Sequence, residues 1–154
     1  IAVNEPSVSF VSGIPREDAV ALALEMMQAA AAVCPVRFVT CDPIHSLRDE
    51  QFAATDALVA SGMISVVGVN YYPHHAEAEL AEILRAIERR YCLPVILTET
   101  SWHDGLPAAE ARFPGIRDRR GWLDHVQAEI ARSEVPVEGV CWYPWIDMPC
   151  WSVA

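Results

Sequence analysis

Two glutamates close short apolar runs in this sequence: Glu5 follows Ile1-Ala2-Val3-Asn4, and Glu99 follows Val95-Ile96-Leu97-Thr98. A carboxylate that ends an otherwise apolar strand loses hydration unless it has a partner or a task. Other apolar runs end in Cys41-Asp42-Pro43-Ile44-His45, in Asn70-Tyr71-Tyr72-Pro73-His74-His75, and in Trp142-Tyr143-Pro144-Trp145-Ile146-Asp147, while Ser101-Trp102 lies just past Glu99. Aromatic faces with hydrogen-bonding groups between them suit a sugar ring, which offers apolar C–H patches and a rim of hydroxyls. A pair of carboxylates suits the glycosidic bond itself, one protonating the leaving oxygen and the other attacking the anomeric carbon. Glu5 and Glu99 are therefore the candidate catalytic pair. Taken singly, each has a plainer reading as a solvated or salt-bridged strand end, and the tryptophans as core.

Other chemistries fit less well. His45, His74, His75 and His103 have no H-x-x-x-H or Cys/His ligand spacing, so no metal site is read. His45 and His74 are better placed for sugar hydroxyls. The five cysteines are scattered and odd in number, with no C-x-x-C pair, which argues against a disulfide framework and for a reducing compartment. Cys41, Cys141 and Cys150 read as inert packing thiols. No glycine-rich phosphate loop is present, and no organic cofactor is expected.

The elements that must position these groups form a regular alternation. Strand-like runs at 1–3, 36–40, 66–70, 95–98 and 139–143 are almost continuously apolar, as strands covered on both faces should be. Their starts lie 35, 30, 29 and 44 residues apart, the size of one strand–helix unit. Pro15 opens the first helix, with Glu17 and Asp18 at its positive end, and it runs to Val33 before Pro35. A second helix covers 49–60. A third, 76–91, carries a stripe of Leu80, Ile83, Leu84, Ile87 and Tyr91, and a fourth carries Trp122, Leu123, Val126 and Ile130. Gly105, Pro107, Pro114 and Gly115 punctuate a loop expected to overhang the cleft. The fold class is α/β with a parallel sheet, in one of two architectures. A five-stranded doubly wound domain fits 154 residues. A (β/α)8 barrel needs about 250, so here it would be partial. The crowded strand ends favour the partial barrel.

At this point the residues resemble the family 1 glycoside hydrolases and the wider clan of β-glycosidase barrels. Asn4-Glu5-Pro6 is similar to the acid/base motif ending barrel strand four, and Val95-Ile96-Leu97-Thr98-Glu99 to the strand-seven motif whose Glu is the nucleophile. Asn70-Tyr71-Tyr72 resembles strand six, whose Tyr hydrogen-bonds that nucleophile, and the Gly139–Asp147–Trp151 spacing resembles strand eight. The resemblance implies that residues 1–154 are the C-terminal part of one barrel, strands four to eight in order. It also implies a retaining mechanism, with Glu5 as acid/base and Glu99 as nucleophile about 5–5.5 Å apart. Asn4 would contact the sugar 2-hydroxyl or, alternatively, cap its turn. Tyr71 is read as orienting Glu99 and Tyr72 as wall packing, the division between them being open. The remaining candidate sugar contacts are His45, Asn70, His74, Trp102, Tyr143, Trp145 and Trp151. The family's aromatic–cis-peptide feature would fall at Tyr143-Pro144. The chain departs from the pattern at Thr100-Ser101, where Asn-Gly is usual, and at Cys150, where a sugar-binding Glu is usual. These departures motivate a second reading, a non-catalytic carbohydrate binder on a decayed barrel. A third, a small-molecule binder, goes with the doubly wound fold.

Composition sets the partners. Eleven basic against twenty-one acidic residues give a net charge of −10, which repels phosphate backbones and anionic lipid, so neither nucleic acid nor membrane is expected. A cytoplasmic location is read. The expected partners are a carbohydrate substrate and either the rest of the barrel or a second copy of the chain.

Overall fold

The computed structural model describes residues 2–4 and 15–143, with side chains from 15 onward. Among the described residues, five strands are separated by helices, one in each of the first three connections and two in the last: β1 (Ala2–Asn4), α1 (Arg16–Val33), β2 (Phe38–Pro43), α2 (Asp49–Ala60), β3 (Ile64–Asn70), α3 (Leu80–Tyr91), β4 (Val95–Thr100), α4 (Pro107–Arg112), α5 (Arg119–Ser133) and β5 (Val137–Trp142). All neighbouring strands pair in parallel. The sheet order is β1-β2-β3-β4-β5. A doubly wound sheet reverses its order at a switch point and carries helices on both faces. Sequential order with right-handed crossovers keeps every helix on one face, as in a barrel wall. The doubly wound alternative is thereby set aside.

Two apolar layers fill the space between sheet and helices. Val20 and Met27 of α1 join Phe38, Ala54, Leu58 and Ile64 in one layer. The larger one gathers Ile83, Leu84 and Ile87 of α3, Val95 and Leu97 of β4, and Trp122 and Val126 of α5. Asp118 caps α5 by accepting the Gly121 N–H at 2.8 Å. Helix α3 starts at Leu80 and not at 76, because the N–H groups of Glu77 and Ala78 both donate to the His45 carbonyl, at 2.8 and 2.9 Å. The expected overhanging loop also differs: α4 forms within it, with Pro107 in its first turn, and seats Ala109 and Phe113 in the larger core layer. That stretch is folded down against the helical face. Among the described residues no helix is long and apolar enough to cross a membrane.

Candidate active site

Strand β4 decides the site. Val69 of β3 pairs with Leu97, but the next residue, Asn70, pairs with Glu99, so Thr98 is an extra residue on β4. The β5 side shows the same surplus, with Leu97 opposite Val140 and Thr100 opposite Trp142. This is a β-bulge, and it re-aims the side chains beyond it. Val95, Leu97 and Thr100 face the helices, the last through its hydroxyl, which accepts from Trp122 Nε1 at 2.9 Å. Thr98 and Glu99 both face the opposite side. There the Thr98 hydroxyl donates to Asn70 Oδ1 at 2.9 Å, and the Tyr72 hydroxyl donates to Glu99 Oε2 at 2.9 Å. Cys41, at the level of Asn4 in the β1–β2 pairing, places its thiol 3.2 Å from Asn70 Oδ1 and 3.7 Å from Glu99 Oε1. Asn70 and Cys41 are buried, whereas Tyr72 and Glu99 are half-buried.

A rim of imidazoles lies beside Tyr72. The His74 ring is 5.7 Å from Tyr72, 4.1 Å from His75 and 5.8 Å from His103. His45 lies 5.3 Å from His75, and His103 Nε2 is 3.1 Å from the Ser101 hydroxyl. The Nδ1 atoms of His45 and His74 are buried without a hydrogen-bond partner among the described residues. Burial, followed by the neighbouring His75 and His74, pulls His45 down to about 3. Burial, followed by His75 and His103, pulls His74 down to about 4. Both rings are neutral near pH 7 and offer hydroxyl-sized donors and acceptors, not fixed positive charge.

Two expected sugar contacts are corrected. Tyr71 is fully buried; its hydroxyl donates to the Ala78 carbonyl at 2.8 Å and its ring stacks on Trp122. Side chains alternate along a strand, so Tyr71 points away from Asn70 and Tyr72. Tyr72, expected in the wall, is the residue that holds Glu99. Trp102 is also buried, beside Trp122, and belongs to the core. Cys41, expected to be an inert thiol, belongs to the site. The structure brings together Glu99, Asn70, Tyr72, Cys41 and the His45–His74 rim, and leaves Tyr143 exposed at the end of β5. Glu5, Pro144, Trp145, Asp147, Cys150 and Trp151 lie outside the described residues, as do the Glu5–Glu99 separation, the Tyr143-Pro144 bond and the Asn4 side chain.

Away from the strand ends, Glu79, His125 and Glu129 bring potential ligand atoms within 4.8 Å of one another. Both carboxylates are already engaged, Glu79 by Arg112 at 2.5 Å and Glu129 by Arg132 and the Ala81 N–H. These contacts tie the start of α3 to α4 and α5 on the helical face.

No protein-family model and no curated protein sequence gives a significant match to the chain. Solved structures do match. The GH53 catalytic domain of Ignisphaera aggregans superposes with a TM-score of 0.70 at 19% identity, over 96% of this chain and 48% of that one. A hyperthermophilic beta-glucosidase mutant superposes with a TM-score of 0.64 at 15% identity, over 91% of this chain and 46% of that one. The chain thus spans about half the length of these structures, and at such identities the likeness is one of fold. That fold is a partial (β/α)8 barrel.

Proposed function

We propose that residues 1–154 are the C-terminal part of a single glycosidase barrel and carry both carboxylates of a retaining β-glycosidase. Glu99 attacks the anomeric carbon while Glu5 protonates the leaving oxygen; Glu5 then activates the water that releases the sugar. The negative charge of Glu99 favours a protonated Glu5 in the first step. The observation that carries this reading is the Tyr72–Glu99 hydrogen bond at the C-terminal end of β4, with Asn70 and Cys41 beside it. A strand-end carboxylate held on one oxygen by a phenol is fixed in rotamer and keeps the other oxygen for attack. The register adds support, because Asn4, the residue before Glu5, pairs with Cys41, whose thiol reaches Glu99. The neutral His45 and His74 rings suit a hydroxyl-bearing substrate, and no cofactor enters the chemistry.

The test uses the full-length parent protein on aryl β-glycosides, with product anomers followed by NMR. Glu99→Gln should abolish turnover, and Glu5→Gln should abolish it for poor leaving groups. The first-formed product should be the β-anomer. An α-anomer would refute the double displacement. Undiminished turnover in Glu99→Gln would refute the site, and a protein that binds glycan identically in wild type and Glu99→Gln without any turnover would be a lectin-like barrel instead.

A further inference from the structure

Cys41 sits where a spectator would not be needed. One thiol proton faces two acceptors, Asn70 Oδ1 at 3.2 Å and Glu99 Oε1 at 3.7 Å, while the other Glu99 oxygen takes the Tyr72 hydroxyl at 2.9 Å. The two carboxylate oxygens are thus held unequally, one by a phenol and one by a thiol, which is a weak donor. We propose that Cys41 is a positioning residue that marks Glu99 Oε1 as the attacking oxygen and releases it by turning its S–H to Asn70. This rests on the glycosidase reading.

The step balances without transfer of the thiol proton. Oε1 forms the bond to the anomeric carbon, the glycosidic C–O bond breaks, and the leaving oxygen takes its proton from the acid carboxyl. As Oε1 becomes an ester oxygen its charge is lost and it accepts a hydrogen bond less well. Asn70 Oδ1, the nearer acceptor, then receives the S–H. A strong donor at Oε1 would have to be broken on the way to the transition state, whereas a thiol steers the oxygen at small cost. Thr98 donates to the same Asn70 Oδ1, which fixes that oxygen as the alternate acceptor.

The experiment reads the thiol directly and the turnover separately, on the full-length parent. The S–H stretching band of Cys41, isolated as the wild type minus Cys41→Ala infrared difference, should shift when Glu99→Gln removes the charged acceptor. In Cys41→Ala, kcat should fall about two- to tenfold because Oε1 loses its fixed orientation, with KM within twofold. Cys41→Ser, a stronger donor that must be broken on the way to the transition state, should not restore that loss. A band indifferent to Glu99→Gln, or a kcat unchanged in Cys41→Ala, would overturn the proposal. A band that responds in a parent without glycosidase turnover would overturn the positioning role together with the proposed function, while leaving the thiol–carboxylate contact standing.

Discussion

Gly68 of β3 has no room for a side chain. A Cβ there would meet the Thr40 carbonyl oxygen at 1.9 Å, the Thr98 methyl at 2.6 Å and the Thr40 carbonyl carbon at 3.0 Å. The Thr98 methyl can rotate aside, but the carbonyl is backbone and would have to retreat by about 1 Å, moving β2 away from β3. That retreat also strains two hydrogen bonds, since the Thr40 hydroxyl accepts the Gly68 N–H at 2.8 Å and donates to the Gly68 carbonyl at 3.0 Å. Overpacking costs about 1–3 kcal/mol, and each hydrogen bond about 0.5–1.5 kcal/mol. Removing glycine from the unfolded chain offsets about 0.4–1 kcal/mol. Gly68→Ala should therefore lose roughly 1 to 6 kcal/mol. Gly139 of β5 is the internal control, because a Cβ there meets only Ile96 side-chain atoms at 3.6 and 3.7 Å, an ordinary contact. Gly139→Ala should be neutral or slightly stabilising. Urea unfolding followed by circular dichroism measures both. A Gly68→Ala protein within about 1 kcal/mol of wild type, or an equal loss in both variants, would refute the steric reasoning.

The adjacent tyrosines should separate cleanly. Tyr72→Phe should lower kcat of the parent on the order of tenfold, whereas Tyr71→Phe should cost about 1 kcal/mol of stability and leave kcat near wild type. Acid should destabilise the fold through His45 and His74. Their folded pKa values, about 3 and about 4, lie below the ordinary 6.5, so the unfolded chain takes up protons first as pH falls. Their contribution is complete above pH 6.5 and is lost on the way down toward pH 3–4, with a slope of at most about 1.4 kcal/mol per pH unit for each proton. Urea midpoints at pH 7.5 and about pH 5 should show the drop, and His45→Gln should reduce it. Among the described residues the sheet ends at β1 and β5, two edges that a closed barrel would not have. The isolated chain should accordingly associate on sizing columns and turn over aryl β-glycosides far more slowly than the parent. A monomeric, fully active segment would contradict the partial barrel.

Most of the architecture is legible in the sequence because burial on both faces leaves continuous apolar runs, and Ala- or Leu-rich stretches separate them. Helix α2 has the same bounds in pattern and in structure. Strand β2 looks shorter in the pattern, stopping at 40, since Asp42 and Pro43 resemble an ending. In the structure the strand continues through Pro43, and the buried Asp42 carboxylate accepts the Thr55 hydroxyl from α2 at 3.3 Å. Helix α4 is hidden for a different reason. At six residues it is too short to show a period, and its flanking Gly105, Pro107 and Pro114 read as loop.

The site is legible in composition but not in orientation, and the two tyrosines show where the difference arises. Asn70 and Tyr72 have the same parity, so strand alternation alone assigns Tyr72, not Tyr71, to the side of the polar cluster. That signal is present in the sequence. The orientation of Glu99 is not. Counting by twos from Val95 and Leu97, both in the apolar layer, puts Glu99 on the helical face, where an unpaired carboxylate would be costly. The surplus Thr98 reverses the count, sends Thr100 to Trp122 and delivers Glu99 to Tyr72 and Cys41. A bulge is a property of register between paired strands, and it exists only once β4 lies against its neighbours. The carboxylate therefore reaches Tyr72 and Cys41 only as a consequence of tertiary pairing, and the same extra residue that breaks the local pattern sets its direction.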